Sequence, residues 1–300
     1  MEYKPRTKPK ELAILEILDK RMNLKNEDKQ RYYSLKKGYE GEVYFDSLTK
    51  KLQCECLIIN DLLLTQNHTT FQLDTTIIGH GKIHLFEIKN NEGDHYYESD
   101  SLYNKSGVKL NNPIHQLVRS ESLFQQLTYT LGHKYPLEAS VVYINSSFTM
   151  YQAPLHLPII YPTQIKTHLS QLNNTPSKIS EQHYNLADKL ITLHQTDSRF
   201  EQVPDYEYAQ LKKGITCFKC NSFLVPTQKM TITCLTCGYS EDFTKAVLRS
   251  ISEFKKLYPN EKITSSIVYD WCKIVAEQRI RRILLEHFNR VGSHRWTYYE

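Results

Sequence analysis

FQLDTTIIGHGKIHLFEIK, Phe71 to Lys89, is the stretch on which the fold turns. Phe71 to Ile78 and Ile83 to Asn90 are short runs of β-branched, aromatic and alternating residues. Gly79-His80-Gly81-Lys82 between them has the composition of a hairpin turn. A third run of the same kind, Leu57 to Leu64, lies just upstream. Side chains alternate across a strand, so Glu87 and Lys89 share one face while Ile88 takes the other. The hairpin folds Asp74 back against the Glu87 strand, where the two carboxylates can converge. Two such oxygens can share a hard divalent cation. Hydrolysing a phosphodiester calls for that arrangement: a cation to polarise the phosphoryl oxygen and acidify water, and an ammonium to orient the water or meet developing charge. Glu-x-Lys alone is more often a solvent-facing ion pair worth a fraction of a kcal/mol.

Working outward, Gly38-Tyr39-Glu40-Gly41-Glu42-Val43 falls within a run from about Asp28 to Leu52 that reads as a helix ahead of the strands. Two glycines inside a helix cost roughly 1 kcal/mol each, so close packing should compensate. Gly38 and Gly41 are three apart and share a face, which would bring this helix against the sheet and carry Glu42 towards the two carboxylates. A turn with solvated glutamates is the plainer reading. Leu12, Ile14, Leu15 and Leu18 suggest a shorter leading helix. Downstream come a polar stretch from Asp94 to Asn112 and a helix from Pro113 to about Leu131, with Asn112 placed to cap it. A strand from Ala139 to Asn145 and an apolar run near Leu157 to Tyr161 follow, and the domain closes near Asn173. His80, His84, His95 and His115 surround these motifs without zinc-protease spacing and read as surface or phosphate-contacting residues.

The second chemical signal is Cys217-Phe218-Lys219-Cys220 followed by Cys234-Leu235-Thr236-Cys237-Gly238. Four thiolates in two Cys-x-x-Cys knuckles suit tetrahedral zinc in a segment too small to fold on apolar burial alone. The pattern resembles a zinc ribbon, with a redox pair as the competing reading. Such a closed site is structural rather than catalytic. Cys54, Cys56 and Cys272 lack a partner pattern and read as buried thiols. Beyond the knuckles, Ile263-Thr264-Ser265-Ser266 starts a helix, and Ala276 to Phe288 continues as a helix bearing Arg279, Arg281 and Arg282. Val291 to Tyr299 then reads as a turn and a strand, so the tail suggests a winged-helix-like module. A solvated basic face, with Trp296 and Tyr298 packed on the helices, is the alternative.

The chain has 300 residues and a formal net charge of +5, long enough for a full core and compatible with a polyanionic partner. No apolar run suffices to span a bilayer, and the charged start, Met1 to Lys10, does not resemble a signal sequence. Seven cysteines, four of them in the knuckles, fit a metal site in a reducing compartment, so a soluble cytoplasmic protein is expected.

Taken in order, four motifs resemble the nuclease-related domain (NERD) proteins, a branch of the restriction-endonuclease-like PD-(D/E)xK nucleases. These are Gly38-Tyr39-Glu40-Gly41-Glu42, Phe71-Gln72-Leu73-Asp74, Phe86-Glu87-Ile88-Lys89-Asn90 with Gly93 behind, and Asn112-Pro113-Ile114-His115-Gln116. The resemblance covers Gly38 to about Asn173. It implies that Asp74, Glu87 and Lys89 form the catalytic triplet, that Glu42 is the helical glutamate, and that Gln116 is the glutamine on the helix after the sheet. The proline that names the superfamily is replaced by Leu73. From residues and resemblance together the expected fold is α/β, a restriction-endonuclease-like core with a mixed central sheet flanked by helices. The expected parts are an N-terminal helical extension (1–36), the nuclease core (37–173), a helical connector (174–213), a zinc ribbon (214–240) and the helical, winged-helix-like module (241–300). The expected function is Mg2+- or Mn2+-dependent cleavage of nucleic acid, DNA foremost, in bacterial DNA processing or defence against foreign DNA, including antiviral defence. Asp74, Glu87 and Glu42 would hold the catalytic metal, and Cys217, Cys220, Cys234 and Cys237 the Zn2+. A non-catalytic DNA-binding regulator and a partner-docking protein are the alternatives. A homo-oligomer or a protein partner at the C-terminal modules stays open.

Overall fold

The computed structural model describes residues 1–196, 202–225, 230–273, 277–293 and 296–300, which divide into two compact units. The first comprises Met1–Lys8 and Ser34–Phe200, the second Pro9–Tyr33 and Glu201–Glu300. The residues expected as one N-terminal extension are therefore shared between them. Strand β1 (Glu2–Lys4) belongs to the first unit and helix α1 (Lys10–Arg21) to the second, while α2 (Asn26–Thr49) begins in the second and ends in the first.

The first unit is an α/β structure around a mixed six-stranded sheet. Its chain order is β2 (Leu57–Gln66), β3 (Thr69–Ile78), β4 (Ile83–Lys89), β5 (Gly93–Glu98), β6 (Ser101–Asn104), β7 (Lys109–Leu110), α3 (Pro113–Thr130), β8 (Leu137–Tyr143), β9 (Phe148–Tyr151), β10 (Ile159–Ile160), α4 (Ile165–Asn174) and α5 (Glu181–Leu193). The large sheet runs β1-β2-β3-β4-β8-β10. β3 pairs antiparallel with β2 on one side and β4 on the other, and β1, β8 and β10 join by parallel pairing. Asn67 and His68, at φ 49° and 60°, make the left-handed two-residue turn that matches strand twist between β2 and β3. The Gly79 N–H donates to the Lys82 carbonyl at 3.1 Å and closes the β3–β4 hairpin. Apolar residues on the two sheet faces form separate cores, one with Leu62, Leu73, Leu85, Phe124 and Leu186, the other with Phe45, Ile58, Ile77, Phe86, Ile88 and Ile165.

A second sheet, ordered β7-β6-β5-β9, draws β5, β6 and β7 from the polar stretch around Asp94 to Asn112, where the sequence pattern predicts no strand, and β9 from further along the chain. Its strands are two to six residues long. Its tight turn uses Ser99 and Asp100 at φ 46° and 56°, not a glycine. Stacked Tyr96 and Tyr103 rings, 5.1 Å apart, add a cross-strand contact to the β5–β6 pair.

The two helical glycines have different roles. A Cβ at Gly41 would sit 2.7 Å from Asn90 Cβ and 3.1 Å from Ile144 Cγ2, so glycine is what lets α2 approach the sheet there. Gly38 has open space around it and lines a cavity, which corrects the expectation that both pack closely. Gly41→Ala is expected to lower unfolding free energy in urea by about 1–3 kcal/mol. Gly38→Ala is expected to be neutral or to stabilise by up to about 1 kcal/mol. Equal effects of the two would show that close approach is not what Gly41 provides.

The second unit gathers α1, the four-cysteine segment with hairpin β11 (Thr231–Thr233) and β12 (Ser240–Asp242), and the helices α6 (Phe243–Leu257), α7 (Ser265–Cys272) and α8 (Glu277–His287). The short pair β13 (Arg290–Val291) and β14 (Tyr298–Tyr299) ends the chain. One core runs through Ile14, Leu18, Ile232, Val247, Phe254, Trp271 and Leu284. Arg21 is fully buried there, with its guanidinium 4.0 Å from the Trp271 ring centroid and 2.7 Å from Glu253. Burying that charge is tolerable because an anion, two backbone carbonyls and an aromatic face all meet it. Of the expected basic helix, Ala276 lies outside the described residues, as do His294 and Arg295 of the terminal turn. No helix among the described residues is long and apolar enough to cross a membrane.

Candidate active site

Strand β4 supplies the centre of the site. Pairing between β3 and β4 runs from Ile78↔Ile83 to Thr75↔Phe86, one step short of Asp74. There the Asp74 side chain replaces the ladder: its Oδ2 accepts the Ile88 backbone N–H at 2.7 Å. That bond fixes the carboxylate beside the end of β4. Glu87 and Lys89 project from the same face, as alternation requires, and the Lys89 Nζ lies 2.6 Å from Glu87 Oε1. Gln116, on the first turns of α3, accepts a second bond from that ammonium at 3.3 Å. Asn112 caps α3 by accepting the Ile114 N–H, with Pro113 at the first helical position, which sets the helix that carries Gln116.

Glu42, Asp74, Glu87, Lys89 and Gln116 together line an open cavity of about 900 Å³, with Lys37 and Lys105 at its wall. Asp74 and Glu87 are buried, at 7 % and 4 % exposure. Glu42 stands on α2 and is held by Arg6, whose Nη1 lies 2.8 Å from Glu42 Oε2. Arg6 also contacts Asp46 through Nε at 2.9 Å and donates to the Asp74 carbonyl at 2.6 Å. This arginine joins helix, strand and carboxylates in one network. Sequence reasoning missed it, because a single arginine in the charged N-terminal segment gives no signal of a contact 36 to 68 residues away. Asn90 adds a further tie, donating to the Lys37 carbonyl at 2.8 Å and accepting from Asn145 at 3.2 Å.

The electrostatics are those of acids crowded out of water. Burial, reinforced by the Asp74 charge, pushes Glu42 up to about 8 despite Arg6. Burial and Asp74 likewise push Glu87 up to about 7, against the pull of Lys89. Asp74 is raised by burial, with Lys89, the Ile88 N–H and Arg6 opposing. Lys89 loses hydration, which lowers its pKa, but Glu87 and Asp74 outweigh that loss and the ammonium stays charged. A divalent cation among these oxygens would relieve the cost of ionising them. The all-oxygen donor set suits a hard ion such as Mg2+ or Mn2+. The three carboxylates are not drawn into one tight cluster, since Glu42 is turned to Arg6 and Asp74 to the Ile88 amide.

A pH dependence follows. A carboxyl raised in the folded state stabilises the fold below its unfolded value of 4.5, and that stability is lost as pH climbs through the folded value. In chelator, the melting temperature of the wild type is therefore expected to fall between about pH 5 and pH 8 relative to a Glu42→Gln, Glu87→Gln variant. Added Mg2+ should recover more of it at pH 8 than at pH 5, because binding displaces protons. Parallel profiles for the two proteins, measured by scanning fluorimetry, would contradict this assignment.

In the second unit, Cys217, Cys220, Cys234 and Cys237 bring their sulfurs within 4.8 Å of one another, a four-cysteine cluster consistent with a zinc ribbon. Cys217 to Cys237 is 3.7 Å and Cys220 to Cys234 is 3.5 Å. The β11–β12 hairpin and the Thr216↔Phe223 bridge present the two knuckles. On α8, Arg281 and Arg282 are exposed, whereas Arg279 lies 3.6 Å over the Phe243 ring and packs within the unit. Trp296 is 74 % exposed. Of the four histidines near the motifs, His80 and His115 lie at the surface. His95 is buried against Phe148, and His84 is largely buried, because both occupy inward positions on their strands.

Residues 37–144, about a third of the chain, match the family described as NERD, the nuclease-related domain. The matched segment runs from α2 through β8 and contains Glu42, Asp74, Glu87, Lys89 and Gln116. No match was found among curated proteins or among solved structures.

Proposed function

We propose that the chain is a metal-dependent nuclease that hydrolyses phosphodiester bonds, DNA foremost, in the cavity around Asp74, Glu87 and Lys89. The observation that carries this reading is the convergence of two buried carboxylates and an ammonium at the end of β4, inside the segment that matches a nuclease-related domain. Asp74 and Glu87 would hold Mg2+ or Mn2+, with Glu42 joining them. The ion would supply charge for a phosphoryl oxygen and acidify water. Lys89 donates a hydrogen bond to the attacking water or to the phosphate, and Gln116 keeps its amine pointed into the cavity. Arg6 positions Glu42 and the end of β3. Lys37 and Lys105, which border the same cavity, would turn from Glu92 and Asp94 to neighbouring phosphates. Around this site the mixed sheet supports a restriction-endonuclease-like core.

Structural Zn2+ at the four cysteines belongs to the same reading, in a reducing cytoplasm where thiolates persist. The order α6, the Ile263↔Tyr299 bridge, α7, α8 and the β13–β14 pair supports a winged-helix-like module. Its exposed Arg281, Arg282 and Trp296 would contact nucleic acid. Foreign-DNA defence or DNA processing is the setting we favour. The test is incubation of the purified chain with single- and double-stranded DNA and RNA in Mg2+, Mn2+ or chelator. Metal-dependent fragments, most abundant from DNA, are expected. Intact substrates under every condition would leave a DNA-binding regulator as the better reading.

A further inference from the structure

Three side chains on the opposite face of the sheet from Glu87 and Lys89 compose a second donor set. His84 and Glu138 are register partners on the parallel strands β4 and β8, and His168 stands on α4. Strand alternation sends His84 away from Glu87, so the two sites are separated by the sheet itself. One nitrogen from each histidine and a Glu138 oxygen lie within 4.8 Å of one another. His84 Nδ1 is 3.9 Å from Glu138 Oε2.

One ring nitrogen of each histidine lacks what buried polar atoms normally have. His84 Nδ1 and His168 Nε2 are both inaccessible to solvent and have no hydrogen-bond partner. The rings are not loosely placed. His84 stacks parallel to Phe86 at 6.1 Å, and His168 meets the same ring edge-on at 5.8 Å. Burial also holds both imidazoles below the usual histidine range, leaving them neutral with a lone pair to give. Glu138 provides the anion, and beside the group lies a cavity of about 320 Å³ bordered by Gly79, His80 and Gln171.

We propose that His84, Glu138 and His168 bind a divalent transition-metal ion, Zn2+ by preference, with the fourth position open to the cavity. Two imidazoles and a carboxylate are borderline-soft donors that suit Zn2+ better than Mg2+. Ligand atoms around tetrahedral zinc stand about 3.4 Å apart, so the side chains close by about 1 Å on binding. Lys82, half-exposed and 2.6 Å from Glu138 Oε2, competes for the carboxylate and swings into solvent when the ion enters. Little is lost, since an exposed ion pair contributes little. The ion would link β4, β8 and α4. No spacing rule could have shown it, because the ligands come from three elements 30 to 84 residues apart in sequence.

Cobalt titration of the metal-free full chain is the test, with zinc content by elemental analysis beside it. The expected result is one equivalent with sulfur-to-cobalt charge transfer and a second with tetrahedral d–d bands but no thiolate band, both distinct from the weak octahedral absorption of any cobalt held at Asp74 and Glu87. His168→Gln should lose only the second, and zinc should fall by one ion per chain. Glu87→Gln should keep both, which separates this site from the nuclease cavity. Lys82→Ala should bind the second equivalent several-fold more tightly. A wild type that takes up only the thiolate-bound ion, its imidazoles holding water, would overturn the proposal. Retention of both equivalents by His168→Gln would do the same.

Discussion

Lys89→Ala is expected to slow cleavage by about 10²- to 10⁴-fold while Mn2+ affinity, measured well above the Glu87 pKa, changes little. The ammonium sits 2.6 Å from Glu87 Oε1 and reaches Gln116, so it is held at the mouth of the cavity rather than waving in solvent. At such a position an oriented donor acts on the charge that builds as water attacks phosphorus, and only weakly on the resting complex. The rate constant should therefore drop more than substrate affinity. Glu87→Gln should differ in kind: it removes a metal oxygen, so both cleavage and Mn2+ binding should fall. Calorimetry with Mn2+ and single-turnover cleavage distinguish the two. A Lys89→Ala enzyme with wild-type turnover would show that the amine is merely the partner of a buried acid.

The second large effect concerns the cysteines. Cys217 is 1 % exposed, its sulfur is 3.7 Å from that of Cys237, and its backbone N–H donates to the Ser222 carbonyl. Cys217→Ser should release zinc, because a neutral hydroxyl replaces a thiolate in a site whose binding free energy is on the order of 10–16 kcal/mol and is largely folding free energy. Ile232 on the knuckle hairpin belongs to the same core as Val247 and Trp271, so loosening should spread through α6 and α7. Hydrogen exchange should accelerate in β11, β12 and α6 while β2 to β4 of the first unit keep their protection. Unchanged zinc content in the variant would mean that another residue serves in its place.

Legibility in the sequence followed the range of the interaction. The β3–β4 hairpin was visible because its signals are local: two alternating runs and a Gly79 to Lys82 turn. Alternation alone put Glu87 and Lys89 on one face. The second sheet was not visible, because β5 and β6 are joined by Ser99-Asp100 in a left-handed turn and set Leu102 and three tyrosines among polar residues without a clear apolar alternation. Arg6 was invisible for a different reason. Its partners lie on α2 and β3, and nothing in a charged N-terminal segment marks one cation for burial. Gly41 shows the same limit in reverse: glycine spacing correctly suggested a close approach, yet only the positions of Asn90 and Ile144 showed that Gly41, and not Gly38, is where it happens.

Cleavage of end-labelled duplex and single-stranded DNA by the purified full chain, in Mg2+ and in chelator, for the wild type beside Asp74→Asn, addresses the central claim most directly. The expected result is fragments from the wild type in Mg2+, none in chelator, and at least a 10²-fold loss in Asp74→Asn. Cleavage that persists in chelator, or that the variant retains in full, would contradict a metal-dependent nuclease centred on Asp74, Glu87 and Lys89.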